Sequence, residues 1–256
     1  GRDRGHFLEM AAEDGLEVRW VDSNSEIRTC YTVIDRSDHS TTELVEEAAP
    51  VASGTEESLR RSYLELLPEM HTVVISGSKS SGYSSEIMPW MTGEAKRAGA
   101  RVIADFRGDD LRRAMKHAPD VIKPNFTEFA STFLETEGSS SPFGPDRAKE
   151  LSEHITPEEL ERAAWKRMEE LAGDGIAVIL TRGSQPTMFA LPDGSVGTKE
   201  PMRVEPINTI GCGDAFTAGL AAELYRSGDY EIALEQAHVC ASMNAGQIRP
   251  GVIRGS

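Results

Sequence analysis

Residues 208–220 read Asn-Thr-Ile-Gly-Cys-Gly-Asp-Ala-Phe-Thr-Ala-Gly-Leu, the run of the chain richest in chemistry. Gly211 and Gly213 stand just before Asp214, where a helical spacing begins: Phe216, Leu220 and Leu224 recur at i, i+4 and i+8. A helix start offers unpaired N–H groups and partial positive charge, and glycines let a phosphate come close to the backbone. A carboxylate beside such an anion site is placed to take a proton from a hydroxyl attacking a phosphoryl group. The plain alternative is a turn in which Asp214 only caps the helix.

Phosphoryl chemistry needs elements that bring other side chains to the same place. A helix end over residues 6–14 closes at Gly15, and alternating strands are expected over 16–20 and 26–35. Ile27, Thr29, Tyr31 and Val33 share one face of the second strand, and a polar turn follows at 36–40. From residue 72 the pattern changes to short continuous apolar strands alternating with helices. Strands are expected at 72–76, 101–106, 120–123 and 176–181. Helices are expected at 84–98, 109–117, 127–135, 156–172, 212–226 and 230–245, with a β-rich stretch at 187–205 and a surface loop at 136–149. Thr156-Pro157-Glu158-Glu159 is a helix start with a Thr cap, Pro at the first position and Glu at the third.

That alternation predicts an α/β chain of three layers, α/β/α, with a mostly parallel central sheet and a small accessory β sheet from the early hairpin. Ligands of such sheets bind at the strand carboxyl ends. Those ends carry Gly77-Ser78-Lys79, Asp105-Phe106-Arg107-Gly108, Lys123-Pro124-Asn125 and Thr181-Arg182-Gly183-Ser184. Asp105 there either helps a metal-bound water or caps the helix that follows.

Residues 208–220 resemble the C-terminal signature of the ribokinase family, also called the phosphofructokinase B family of sugar kinases. The chain departs from that signature only at Cys212, where a small residue, often Ala, is usual. Lys123-Pro124-Asn125-Phe126-Thr127-Glu128 resembles the family's K-P-N-x-x-E. The resemblance implies a ribokinase-like fold and an ATP-dependent carbohydrate kinase. Asp214 would be the catalytic base, with Gly211, Cys212 and Gly213 supplying N–H groups to the developing charge. Asn125 would lie near the ATP phosphates, and Glu128 would help place Mg²⁺ through water; the alternative is a turn Asn and a solvated Glu. Thr181, Gly183 and Ser184 resemble the nucleotide loop T-x-G-x-x-G, whose last Gly is missing here: Pro186 or Thr187 stands in its place. A plain strand-ending turn is the alternative. Ala241 and Asn244 correspond to the segment that flanks adenine, although Asn244 could equally be a helix C-terminal residue.

Residues 26–35, Glu-Ile-Arg-Thr-Cys-Tyr-Thr-Val-Ile-Asp, resemble a strand of the 1-phosphofructokinase and tagatose-6-phosphate kinase branch, followed by a T-E-L match at 42–44. The implied substrate is a sugar phosphate: fructose 1-phosphate, fructose 6-phosphate or tagatose 6-phosphate. Arg28 would grip the phosphate with its guanidinium fork; a surface Arg is the alternative. Lys79 is a second candidate for the phosphate, though the family has an apolar residue and Pro there. By the same resemblance residues 1–256 form one kinase domain, 17–50 contribute to a β lid, and a homodimer through the lid is expected. The family's first strand and its sugar motif G-G-x-x-x-N are not seen in this sequence. A kinase of an unphosphorylated sugar or nucleoside, or a non-catalytic nucleotide-binding relative, remains the alternative.

The totals narrow the classes. The 256 residues carry a net charge of −15, so nucleic acid and anionic membrane are unfavourable partners. No apolar run approaches the ~20 residues of a membrane span. Three cysteines, Cys30, Cys212 and Cys240, give neither a disulfide framework nor zinc spacing, which suggests a reducing, cytoplasmic setting. The six histidines are scattered and read as surface or packing residues.

Overall fold

The computed structural model describes residues 3–35, 37, 41–134, 155–251 and 253. The expected loop at 136–149 and most of the turn at 36–40 lie outside them. The chain divides into two compact units, Gly1–Glu69 with Ser78–Ile87, and Met70–Gly77 with Met88–Ser256.

The first unit begins with α1 (Arg4–Glu13), then an antiparallel hairpin of β1 (Cys30–Ile34) and β2 (Thr41–Val45), then α2 (Thr55–Leu66). The expected strand at 16–20 does not form. Its alternation is real, but a strand needs a hydrogen-bonding neighbour, and among the described residues none pairs with it. Trp20 instead lies 4.3 Å beneath the Arg4 guanidinium. The second strand is confined to 30–34: past the Cys30–Val45 pair a single 3.3 Å bond from the Glu46 N–H to the Thr29 carbonyl remains, and the Thr29 N–H turns to the Glu46 carboxylate at 2.8 Å in place of a ladder partner. The helix α2 went unnoticed in the sequence. It is anchored by Glu56, which accepts 2.6 and 2.8 Å bonds from the backbone N–H and hydroxyl of Ser84.

The second unit is built on a six-stranded sheet in chain order: β3 (Thr72–Ser76), β4 (Arg101–Asp105), β5 (Val121–Ile122), β6 (Ala177–Arg182), β7 (Gln185–Ala190) and β8 (Val196–Lys199). The strands β3 to β6 are parallel and the last two run antiparallel. Between them lie α3 (Ile87–Arg97), α4 (Gly108–Ala114), α5 (Phe126–Phe133) and α6 (Pro157–Gly173); α7 (Cys212–Arg226) and α8 (Tyr230–Ala245) close the chain. Ile103, Val121, Ala177 and Ile179 pack on Phe216, Leu220 and Leu224 of α7 and Leu234 of α8. The alternate residues Val102, Ala104, Ile122, Val178 and Leu180 are just as buried. Burial of both faces explains why these strands read as continuous apolar runs.

The Thr156 side chain accepts from the Glu159 N–H while Glu159 reaches back to the Thr156 N–H, completing the capping box read from the sequence. Among the described residues no helix is long and apolar enough to cross a membrane.

Candidate active site

The loop before α7 is tied down by its own side chains. Buried Asn208 accepts from the Ile210 N–H at 3.0 Å and donates to the Ile248 carbonyl at 2.9 Å. Gly211 is the N-cap, with φ +76°, a left-handed conformation that favours glycine. Asp214 is therefore the third residue of the helix and not its cap, which removes the plain alternative of a capping Asp. The Cys212 N–H reaches the Thr209 carbonyl at 3.3 Å, and the Ala215 N–H closes the first intrahelical bond, to Gly211, at 2.8 Å. Among the described residues the N–H groups of Gly213 and Asp214 have no acceptor. A Cβ built on Gly213 meets nothing within 4 Å, so the space over this turn is open. The Asp214 side chain is exposed.

Three neighbouring strands deliver polar side chains to the same place. Ser76 and Asp105, register partners at the ends of β3 and β4, are joined by Lys123, which follows β5. The Asp105 carboxylate accepts from Thr217 of α7 at 2.6 Å and faces the Lys123 ammonium at 3.2 Å. The Ser76 hydroxyl lies 3.4 Å from Asp105 and 3.5 Å from Asp214. Burial pushes the Asp105 carboxyl above its ordinary value of 3.8. Lys123 and the Thr217 hydroxyl pull it back, while the Asp214 charge adds to the push. Lys123 is only 3% exposed, and removing one partner of so buried a pair typically costs about 3–5 kcal/mol. Asp105 caps no helix: the N-cap of α4 is Arg107, without a side-chain cap. Ser76 and Thr217 were not singled out for chemistry in the sequence, and Lys123 stood in the Lys123-Pro124-Asn125 strand end without a role of its own. The available signal was Lys123, a charged residue closing an apolar strand, and Thr217, one turn after Asp214.

On the next strand ends, Asn125 and Thr181 form a parallel bridge. Asn125 caps α5 by accepting from the Glu128 N–H at 2.9 Å, and Glu128 Oε2 accepts from the Asn125 N–H at 3.0 Å. Arg107 holds the other Glu128 oxygen at 2.9 Å. Glu128 is thus engaged in a capping box and an ion pair, neither of which the sequence reading anticipated. Gly183 and Ser184 form a two-residue hairpin turn between β6 and β7, with Arg182 opposite Gln185 and Gly183 at φ +63°. Pro186 and Thr187 belong to β7, so the loop is tighter than the T-x-G-x-x-G pattern would make it.

Asn244 is fully buried. It donates to the Ile210 carbonyl at 2.8 Å and accepts from the Gly251 N–H at 2.7 Å, so it braces the loop that carries Gly211. Its Nδ2 also lies 3.3 Å from the Cys212 sulfur. Ala241, one turn earlier on α8, is half-buried. Arg28 and Lys79 belong to the first unit. Arg28 is exposed and precedes β1 by two residues, so it is not held on a strand as expected; Lys79 is half-buried.

Residues 1–252 match the family described as pfkB family carbohydrate kinase, and the chain belongs to that family. Phosphofructokinase-2 from Escherichia coli in complex with fructose-6-phosphate superposes with a TM-score of 0.74 at 19% identity, over 96% of this chain and 74% of that one. A possible 1-phosphofructokinase from Thermotoga maritima gives 0.67 at 19% identity, over 87% and 64%. Arabidopsis thaliana ribokinase complexed with ribose and ATP gives 0.66 at 18%, over 96% and 73%. At these identities the likeness establishes the ribokinase-like fold, in agreement with the architecture expected from the sequence. The chain is a carbohydrate kinase by family.

Proposed function

We propose that this protein transfers the γ-phosphoryl group of ATP to a hydroxyl of a sugar phosphate, with Asp214 as the base. The observation that carries this reading is the exposed Asp214 carboxylate on the same helical turn as two N–H groups without acceptors, beneath open space. Asp214 takes the acceptor hydroxyl's proton as the new O–P bond forms and the bond to the leaving ADP oxygen breaks. The N–H groups of Gly213 and Asp214, which have no acceptor among the described residues, face the charge that grows on the transferring group, while the Cys212 N–H, held at 3.3 Å by the Thr209 carbonyl, is free to join them only if that contact opens.

Asn125, Thr181, Gly183 and Ser184 form the nucleotide side, and the Asn125–Thr181 bridge supports assigning them together. Ala241 and Asn244 border the base end, where Asn244 acts by bracing the loop. Glu128 is the residue toward Mg²⁺. Both its oxygens are already engaged once, and a carboxylate has about four acceptor sites, so contact through water fits this side chain. Among the described residues no three His, Cys, Asp or Glu side chains cluster to hold a metal. That accords with a magnesium ion carried largely by substrate phosphates. When bound, Mg²⁺ supplies charge neutralisation on the phosphates.

Arg28 anchors the phosphate already on the sugar, with Lys79 as a second cation. Residues 17–50 act as the lid of a single kinase domain. The hairpin supports this reading: Tyr31 and Val33 of β1 and Leu44 of β2 are each more than half exposed, and an uncovered two-stranded hairpin is at best marginally stable. Pairing of lids in a homodimer would cover them. The free thiols Cys30, Cys212 and Cys240 fit a reducing cytoplasm.

The test is ADP release with Mg·ATP across fructose 1-phosphate, fructose 6-phosphate, tagatose 6-phosphate, fructose and adenosine, with Asp214→Asn alongside. Turnover of one phosphosugar that falls by about 10²-fold or more in the variant is expected. Turnover of only unphosphorylated acceptors, unaffected by Arg28→Ala, would replace the sugar-phosphate assignment.

A further inference from the structure

Resting on the assignment of Asp214 as base, we propose that the buried Lys123–Asp105 pair is a positioning device for that base, coupled to it through Thr217 and Ser76. Neither residue of the pair needs to touch the substrate for this role. Lys123 is 3% exposed at the end of β5, and its ammonium lies 3.2 Å from Asp105 and 5.8 Å from the centre of the Phe216 ring. A solvation shell is closed to it there, so Asp105 is what keeps the ammonium in place.

Asp105 in turn faces α7. It takes the Thr217 hydroxyl at 2.6 Å, and that same hydroxyl lies 3.0 Å from the Gly213 carbonyl. Thr217 is three residues after Asp214, one helical turn on, so this bond fixes the rotation of the first turn against the end of β4. Ser76 gives a second link, its hydroxyl standing between the two carboxylates at 3.4 and 3.5 Å. The first turn of α7 lacks a side-chain cap, so its register depends on such outside contacts. A turn that carries both the base and the anion-facing N–H groups loses rate when it shifts by fractions of an ångström.

The pair is also balanced in charge. With both members present, Asp214 faces no net charge from beneath. Removing Asp105 alone leaves a buried cation that draws on the Asp214 carboxylate. Removing Lys123 alone leaves a buried carboxyl whose burial favours a proton, and a neutral carboxyl holds the Thr217 hydroxyl more weakly than a carboxylate does. Removing both returns neutrality and loses only the geometry.

The experiment measures kcat and both KM values, together with melting temperature, for Lys123→Met, Asp105→Asn, the double variant and Thr217→Val. Each single substitution in the pair is expected to lower kcat by about 10-fold or more with KM for ATP within about threefold, the pattern of an interaction that matters in the transition state. The double variant is expected to recover at least about fivefold over the worse single variant, since members of one network are not additive. Thr217→Val keeps the shape, leaves the pair's charges intact and guards against failed folding of the others. It is expected to lower kcat about 10-fold, the loss of one hydrogen bond to a charged group. Full kcat in Thr217→Val, or a double variant no better than the worse single one, overturns the inference. Full activity in Asp214→Asn would instead sink the base assignment, independently of the pair.

Discussion

Gly211 and Gly213 stand two residues apart, yet the structure gives them opposite constraints, and replacing each by Ala should separate folding from chemistry. At Gly211 the backbone has φ +76°, which costs an L-residue roughly 1–2 kcal/mol. The new Cβ would also sit 3.0 Å from Pro250 Cβ, a contact that must widen. A loss of about 2 kcal/mol corresponds to about 4–8 °C in melting temperature for a chain of this size. At Gly213 the backbone is helical and the Cβ meets nothing, so Ala there costs no stability and gains up to ~1 kcal/mol of helix propensity. On the proposed reading the same methyl enters the open space beside the N–H groups assigned to a phosphate oxygen. Losing one charge-assisted hydrogen bond, worth about 1.5–3 kcal/mol, lowers kcat/KM for ATP by about 10- to 100-fold. Thermal melts and ADP release on the two variants are sufficient. Full activity in Gly213→Ala refutes phosphate binding over this turn, and an unchanged melting temperature in Gly211→Ala refutes the strain argument.

Other outcomes follow from single contacts. In Gly219→Ala the Cβ would lie 2.8 Å from Cys240 Sγ and 2.9 Å from the Gln236 carbonyl, so α7 and α8 must move apart. Overpacking outweighs the gain in propensity and lowers stability by about 1–2 kcal/mol in a denaturant titration. His238 is buried, its Nε2 has no hydrogen-bond partner among the described residues, and its ring stands edge-on to Phe216. Burial first, and Lys199 second, hold its pKa below the ordinary 6.5, so the unfolded chain binds the extra proton. Its contribution is present above pH 6.5, begins to fall there and is lost as pH drops through the lower folded value; His238→Met should flatten the melting temperature between pH 7 and pH 5.5 relative to the parent. Glu128→Gln keeps the capping geometry but loses the charge opposite Arg107. It should raise the Mg²⁺ concentration for half-maximal activity severalfold while leaving the melting temperature within about 3 °C. An unchanged Mg²⁺ requirement would remove Glu128 from the metal side.

Local rules were legible wherever a residue's role is decided by its near neighbours. The bounds of β3, α7 and α8 follow from apolar spacing and glycine placement, and the Thr156–Glu159 box follows from four residues. The same rules overreached at 16–20, where period-two alternation had no strand to pair with, and they passed over α2. The Asn125–Glu128 spacing suggested a ligand pair, yet four residues that fit a metal-and-phosphate reading fit a capping box equally well.

The order Gly-Cys-Gly-Asp marked a helix start from sequence alone, and the structure bears out that start at Cys212; the proposed base and anion site both belong to that one turn. Only the tertiary structure decided what holds that turn. Ser76, Asp105, Lys123 and Thr217 are separated by up to 141 positions in the chain. Parallel strand register sets their ends side by side, and hydrogen bonds as short as 2.6 Å then join them. No local pattern records such a juxtaposition, since it arises from how strands order in a sheet and how one helix packs across their ends.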